Sequence, residues 1–315
     1  MNKKIIAGMP DYIDDLIVIL KDVPQGNNIA KHLLTMAKIL LAPEKTILHK
    51  LTFKDIPKAV NANVGSPNSI DNNNPVHQIN LPAFKMSETP ITNNQWQTVA
   101  LDPRFRTILP KYPSSTFSPA FKRDDHPVVN ITWYDAIKYS LLCNIGNPTV
   151  PMNIQNQIWT PSEGFKISDK NLGSFVMKMQ DSRIKMILLP TESQWEYAAD
   201  KDPEEGYLII SNKDDSTQPV RSIPPNRYGL YDMTWNVWEW TTDWYLSDFY
   251  KEGTTYYSPL GPKTGRTRVL RGGSWFEKKQ QIDSKQPYNG VWSNYRNDLL
   301  PSEKGNHYGF RLVQN

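Results

Sequence analysis

Ten tryptophans and fifteen tyrosines share this chain with 25 prolines and only a few helical patterns. That pairing constrains the fold more than any other feature. Proline interrupts helices and central strands, so long regular elements are scarce. A core built from short elements must be pinned by large side chains that reach in from loops. Tryptophan and tyrosine suit this task, because each buries much area at few rotatable bonds. The expectation is a loop-rich domain held together by aromatics.

Several function classes drop out early. The 36 basic and 32 acidic residues leave a net charge of +4. The basic residues are scattered rather than clustered, so no nucleic-acid footprint is expected. The longest apolar run, Leu16 to Leu20, falls far short of the roughly 20 residues that cross a bilayer, and no membrane span is expected. Lys3 and Lys4 are followed by Pro10, Asp11, Asp14 and Asp15, which interrupt any signal-peptide core. A cytoplasmic location is therefore expected, with export by a signal-free route left open. A single cysteine, Cys143, rules out an intrachain disulfide or a multi-cysteine zinc site.

Residues 11–42 read as a helical pair. Ile13, Leu16, Ile17 and Leu20 mark one stripe, Ile29, Leu33, Met36 and Leu40 a second, with Pro24 and Gly26 between them. Residues 1–60 are assigned to this helical appendage, which serves either packing or the docking of a partner. Residues 61–75 have the polar, Asn-rich composition of a linker, and the main domain is expected over 76–315. Helices are predicted at Thr92–Val99, from about Thr132, and at Glu192–Ala199. The last carries a capping box formed by Thr191 and Gln194. Residues 144–187 show no firm pattern and read as inserted loop.

Five blocks then line up: FKMSETPITNNQW (Phe84–Trp96), HPVVNITWYDAIKY (His126–Tyr139), LPTESQWEYAA (Leu189–Ala199), NRYGLYDMTWNVWEWTTDWY (Asn226–Tyr245), and RVLRGGSW (Arg268–Trp275) closing with GFRLV (Gly309–Val313). In order and spacing they resemble the formylglycine-generating enzyme, or sulfatase-modifying factor, family. The resemblance implies an α+β fold, a variant of the C-type lectin, with an open ligand-binding face near the C-terminus. The family includes copper-dependent formylglycine generators, iron-dependent sulfoxide synthases, pyoverdine-maturation proteins and non-catalytic variable receptors diversified by retroelements. Fold alone does not choose among them.

The site residues narrow the choice. Formylglycine generators hold copper(I), a soft ion, through two cysteines that follow GGS. Counting from RGGSW puts Glu277 at the first position; counting back from Arg296 puts Tyr288 at the second. Neither is a cysteine, so no copper is expected. The five histidines, His32, His49, His77, His126 and His307, show no i, i+4 pair for iron. The resemblance also implies one structural calcium, held by the side chains of Asp232 and Glu239 and the carbonyls of Trp235 and Val237. Hard calcium takes such oxygens, although Trp235 stands where the family has glycine. The stretch from Asn212 to Asp215 is too short for the family's second calcium. There is no GxSxG elbow, Walker loop or CxxC pair.

The reading that follows is a non-catalytic binding protein, with a protein partner or small ligand at the C-terminal face. That face is expected to comprise Trp275, Phe276, Glu277, Tyr288, Asn289, Trp292, Asn294, Tyr295 and Arg296, since aromatic and Asn side chains give adaptable contacts. A core role for Trp275 and Trp292 stays open. Two alternatives stand beside it. One is a copper-independent enzyme of the pyoverdine-maturation kind with Glu277 as its acid or base. The other is a retroelement-diversified receptor.

Overall fold

The computed structural model describes residues 51–66, 74–111, 113–116, 119–182, 184–200, 215–276 and 295–315. They all belong to one unit that runs from Lys50 to Asn315. The helical pair expected before residue 50 lies outside the described residues.

The boundary expected near residue 75 needs correction. Residues assigned to the appendage and linker form β1 (Phe53–Ile56) and β2 (Ala59–Val64). β1 pairs antiparallel with β4 (Phe84–Ser87), and β2 with β3 (His77–Leu81). The residues of β2 from Asn61 onward read as linker because β2 buries only its ends, Ala59 and Val64. One face of the strand is left to solvent, where Asn is tolerated.

The helices follow their caps. α1 (Asn93–Ala100), α2 (Trp133–Leu142) and, further along the chain, Glu192–Ala199 each open on a complete capping box, from Thr92 and Gln95, Thr132 and Asp135, and Thr191 and Gln194. In each box the threonine hydroxyl and the third residue's side chain satisfy each other's backbone N–H. Two short 3-10 turns, Pro113–Thr116 and Pro119–Lys122, lie between α1 and α2.

The segment 144–187 is more regular than expected. It holds α3 (Met152–Ile158), the hairpin β5 (Trp159–Thr160) and β6 (Gly164–Phe165), α4 (Asp169–Asp181) and the start of β7 (Ile187–Leu188). α5 (Glu192–Ala199) follows. Only Leu172, Val176 and Met179 of α4 are buried, a thin stripe among polar residues and Gly173. That is too little periodicity to read from sequence.

The remaining strands build the centre. β8 (Trp238–Trp244) is buried along nearly all its length and pairs antiparallel with β10 (Arg268–Arg271) and parallel with β12 (Tyr308–Gly309). β11 (Arg296–Leu299) completes that sheet against β10. β9 (Thr255–Tyr257) runs parallel to β3. The C-terminal β13 (Val313–Gln314) sits between β4 and β7. Aromatics pin these short elements as expected. Trp96 stacks on Tyr139 with centroids 5.2 Å apart, and Phe310 meets both edge-on. Trp133 donates its indole N–H to Thr241 O at 2.8 Å. No helix among the described residues is long and apolar enough to cross a membrane.

Candidate functional site

Glu192 and Glu196 stand one turn apart on α5, so both carboxylates share a face, and both are buried. Arg271 and Arg296 are register partners on β10 and β11. Arg296 donates to Glu192 through Nε at 2.6 Å and Nη2 at 3.0 Å. Arg271 reaches Glu192 at 3.1 Å and Glu196 at 2.8 Å. Burial raises the Glu192 carboxyl, but Arg296 and Arg271 outweigh it and hold the group below its ordinary range. Glu196 also accepts from Gly65 N at 2.7 Å and from Asn74 Nδ2 at 3.1 Å.

Asp243 meets this cluster from β8. Its Oδ2 accepts from Glu192 N at 2.8 Å, while its Oδ1 has no partner among the described residues. Burial, with the Glu192 charge adding to it, pushes its carboxyl up to about 7. Arg268 is held differently. Its guanidinium lies 3.9 Å from the Trp133 ring and 3.3 Å from the Trp244 ring, between two tryptophans. It donates to Thr242 O at 2.7 Å.

The expected ligand face is only partly assembled from the expected residues. Trp275 is core: it packs with Phe121, Val129 and Val237 and donates its indole N–H to Asn306 O at 3.1 Å. Arg296 is buried on Glu192 and is corrected from ligand contact to framework, because a paired interior guanidinium offers nothing to a ligand. Phe276 is 42 % exposed and stacks on His307 at 5.5 Å, which in turn lies 4.0 Å from Tyr308. Tyr295 is half-buried, 6.0 Å from the Trp238 ring. Glu277, Tyr288, Asn289, Trp292 and Asn294 lie outside the described residues.

Sequence reasoning missed Phe121, His307 and Tyr308. The last two directly precede GFR, a signal that could have found them. It also missed a pocket of about 220 Å³ lined by Asn93, Trp96, Gln97, Lys111, Pro113, Ser114 and Lys122. Its polar floor is satisfied: Asn93 donates to Phe121 O and Arg123 O and accepts from Ser114 Oγ, each at 2.8 Å. Two lysines and no carboxylate line it. The turn Pro119–Lys122 joins pocket and face, with Lys122 in one and Phe121 against Trp275 in the other.

The residues expected to hold calcium do not fit the ion. Glu239 is fully buried; its two oxygens accept from Arg311 at 2.6 and 2.8 Å and from Trp195 Nε1 at 2.6 Å. Its charge is therefore already neutralised. Asp232 Oδ2 takes Arg221 N at 2.8 Å, which leaves Oδ1 as the one carboxylate oxygen of the expected set without a donor; with the carbonyls of Trp235 and Val237 that makes three oxygens, against the six to eight that calcium takes. Burial pushes the Asp232 carboxyl up to about 6. Trp235 and Val237 have buried side chains. Trp235 sits at φ +89°, the left-handed region where glycine belongs, and donates its N–H to Gly272 O at 2.8 Å. The loop keeps the glycine conformation with a tryptophan in it. The stretch from Asn212 to Asp215, read as too short for a second calcium, lies outside the described residues apart from Asp215. Among those residues no group of three His, Cys, Asp or Glu is placed to hold a metal.

Comparison with known proteins agrees with this architecture. The sulfatase-modifying factor enzyme 1-like domain matches residues 54–315. The chain is 29 % identical over 264 residues to the serine/threonine-protein kinase Pkn1 of Chlamydia trachomatis, covering 76 % of this chain and 34 % of that protein. It thus spans about a third of the length of the chlamydial relatives it matches. It is 30 % identical over 165 residues to the formylglycine-generating enzyme of Bos taurus, covering 52 % of this chain and 39 % of the enzyme. Among solved structures, Treponema denticola variable protein 1 matches with a TM-score of 0.62 and 27 % identity, over 84 % of this chain and 95 % of that one. PvdO from Pseudomonas aeruginosa matches with a TM-score of 0.52 and 18 % identity, over 84 % of this chain and 94 % of that one, and shares the fold alone. With 54–315 matched, the motif blocks in place and the copper-binding cysteines absent, the chain belongs to the sulfatase-modifying factor enzyme 1-like domain family.

Proposed function

We propose that this chain is a ligand- or protein-binding protein built on the family's fold, not an oxidising enzyme. One observation carries the reading. Cys143, the sole cysteine, is buried at the end of α2, where burial pushes its thiol far above the ordinary range. Copper(I) chemistry needs thiolates, and a buried thiol keeps its proton.

The face supplies the rest. Exposed Phe276 stacked on His307 gives rigid aromatic area of the sort that anchors interfaces. The adjoining pocket, with two lysines over an apolar wall of Trp96 and Pro113, favours a ligand that carries an acidic group. The likeness to a variable protein over nearly its whole length supports a role in recognition.

The test has two arms. A sulfatase-motif cysteine peptide incubated with the protein and copper is expected to keep its thiol. Crosslinking to a partner is expected to weaken in Phe276→Ala while Glu277→Gln changes it little. Aldehyde on the peptide, or a turnover that Glu277→Gln removes, would return the reading to an enzyme.

A further inference from the structure

The Arg311 guanidinium is enclosed by oxygens. Its Nε donates to Glu239 Oε2 at 2.6 Å and its Nη2 to Glu239 Oε1 at 2.8 Å. Nη2 also donates to the carbonyls of Tyr231 at 2.9 Å and Asp232 at 3.2 Å, and Nη1 to Ser87 O at 3.2 Å. That makes five oxygens, two from a carboxylate and three from backbone, around a side chain with no solvent exposure. Two of the five, the Tyr231 and Asp232 carbonyls, open the 231–237 loop, while Glu239 lies on β8 and Ser87 on β4; a shell of carboxylate and carbonyl oxygens is what a hard cation gathers. Here the gathered cation is covalently part of the chain.

We propose that Arg311 is the resident cation of the 231–237 loop, so that this loop folds, and the face above it binds, without calcium. The second half rests on the binding reading; the first stands alone. The link between loop and face is direct. Trp275 N donates to Asn236 O at 3.1 Å, and Val237 packs with Trp275, Phe121 and Val129. Whatever holds the loop therefore holds the floor of the face. A divalent ion brought to Glu239 would meet the fixed positive charge of Arg311 at close range, and in a dry interior that repulsion is little screened. The donors that remain, Asp232 Oδ1 and loop carbonyls, are too few to offset it.

The test is chemical rescue in the full chain, read by thermal melting, which needs no ligand. Arg311→Ala is expected to melt below wild type. Methylguanidinium chloride should raise the melting temperature of the variant but not of wild type, and methylammonium chloride at equal ionic strength should raise neither. Calcium is expected to leave wild type unchanged. Stabilisation of wild type by calcium, or no rescue of Arg311→Ala by methylguanidinium, would overturn the proposal. If Arg311→Ala does not fold, terbium(III) luminescence on the wild-type chain decides the matter. Tryptophan-sensitised emission that Asp232→Asn abolishes would place an ion in the loop and refute it. No Asp232-dependent emission supports it. Loss of partner crosslinking with these results intact would count against the binding reading alone.

Discussion

Arg296 grips Glu192 with two hydrogen bonds, at 2.6 and 3.0 Å, deep in the interior. Breaking such a pair from one side strands the other charge, at a cost of about 3–5 kcal/mol. Arg296→Met is therefore expected to destabilise strongly in urea unfolding. The double variant with Glu192→Gln should lose much less than the sum of the two single variants. Additive losses would show that the two residues act separately.

Asp243 makes stability depend on pH in an unusual sense. Its folded-state carboxyl is pushed from 3.8 up to about 7 by burial. The native state therefore holds a proton that the unfolded chain has released. The contribution is fully present below about pH 4 and is lost as pH rises through 7, at about 1.4 kcal/mol per unit at most. Asp232 acts the same way up to about 6. Asp243→Asn is expected to match wild type near pH 4 and to exceed it at pH 8. Unfolding midpoints across that range check it, and a constant difference between the two proteins would refute the assignment.

Cys143 has a thiol that burial keeps protonated. It is expected to resist a thiol reagent in the native protein and to react at once in denaturant. Reaction at the rate of an exposed cysteine without unfolding would contradict its placement.

The start of the domain can be located by truncation. A chain beginning at Lys50 keeps β1 and β2 and is expected to melt cooperatively. One beginning at Val76 removes the partners of β4 and β3 and exposes the buried faces of Ile79, Leu81, Phe84 and Met86. It is expected to be insoluble or to melt broadly. Equal melting of the two would restore the boundary near residue 75.

The pocket lysines give a handle on binding. Lys111→Glu with Lys122→Glu reverses both charges that line the pocket. Both side chains are exposed, so melting should hold while capture of an acidic ligand falls. Unchanged capture would disconnect the pocket from recognition.

What the sequence discloses here depends on how locally each feature is encoded. The three capped helices are legible because a cap is written within four residues, as in Thr191 to Gln194. The family blocks are legible for the same reason. β2 is not, since its partner β3 lies beyond a polar stretch and its own residues are mostly small or polar. α4 hides because three buried side chains suffice to dock it. The site follows the same rule. Phe276 is exposed where the motif count puts it, but whether Trp275 faces a ligand or the core depends on Phe121, more than 150 residues earlier. Glu239 reads as a metal ligand until Arg311, which no local pattern couples to it, is brought within 2.6 Å.

Glu196 fixes Gly65 and Asn74 together, and Ser66 N closes on Asn74 O at 2.9 Å. Gly65 follows β2 and Asn74 precedes β3, so one carboxylate on α5 ties the end of one strand to the start of its partner. A change at Glu196 would therefore be felt at both strands of that pair and not on its own helix alone.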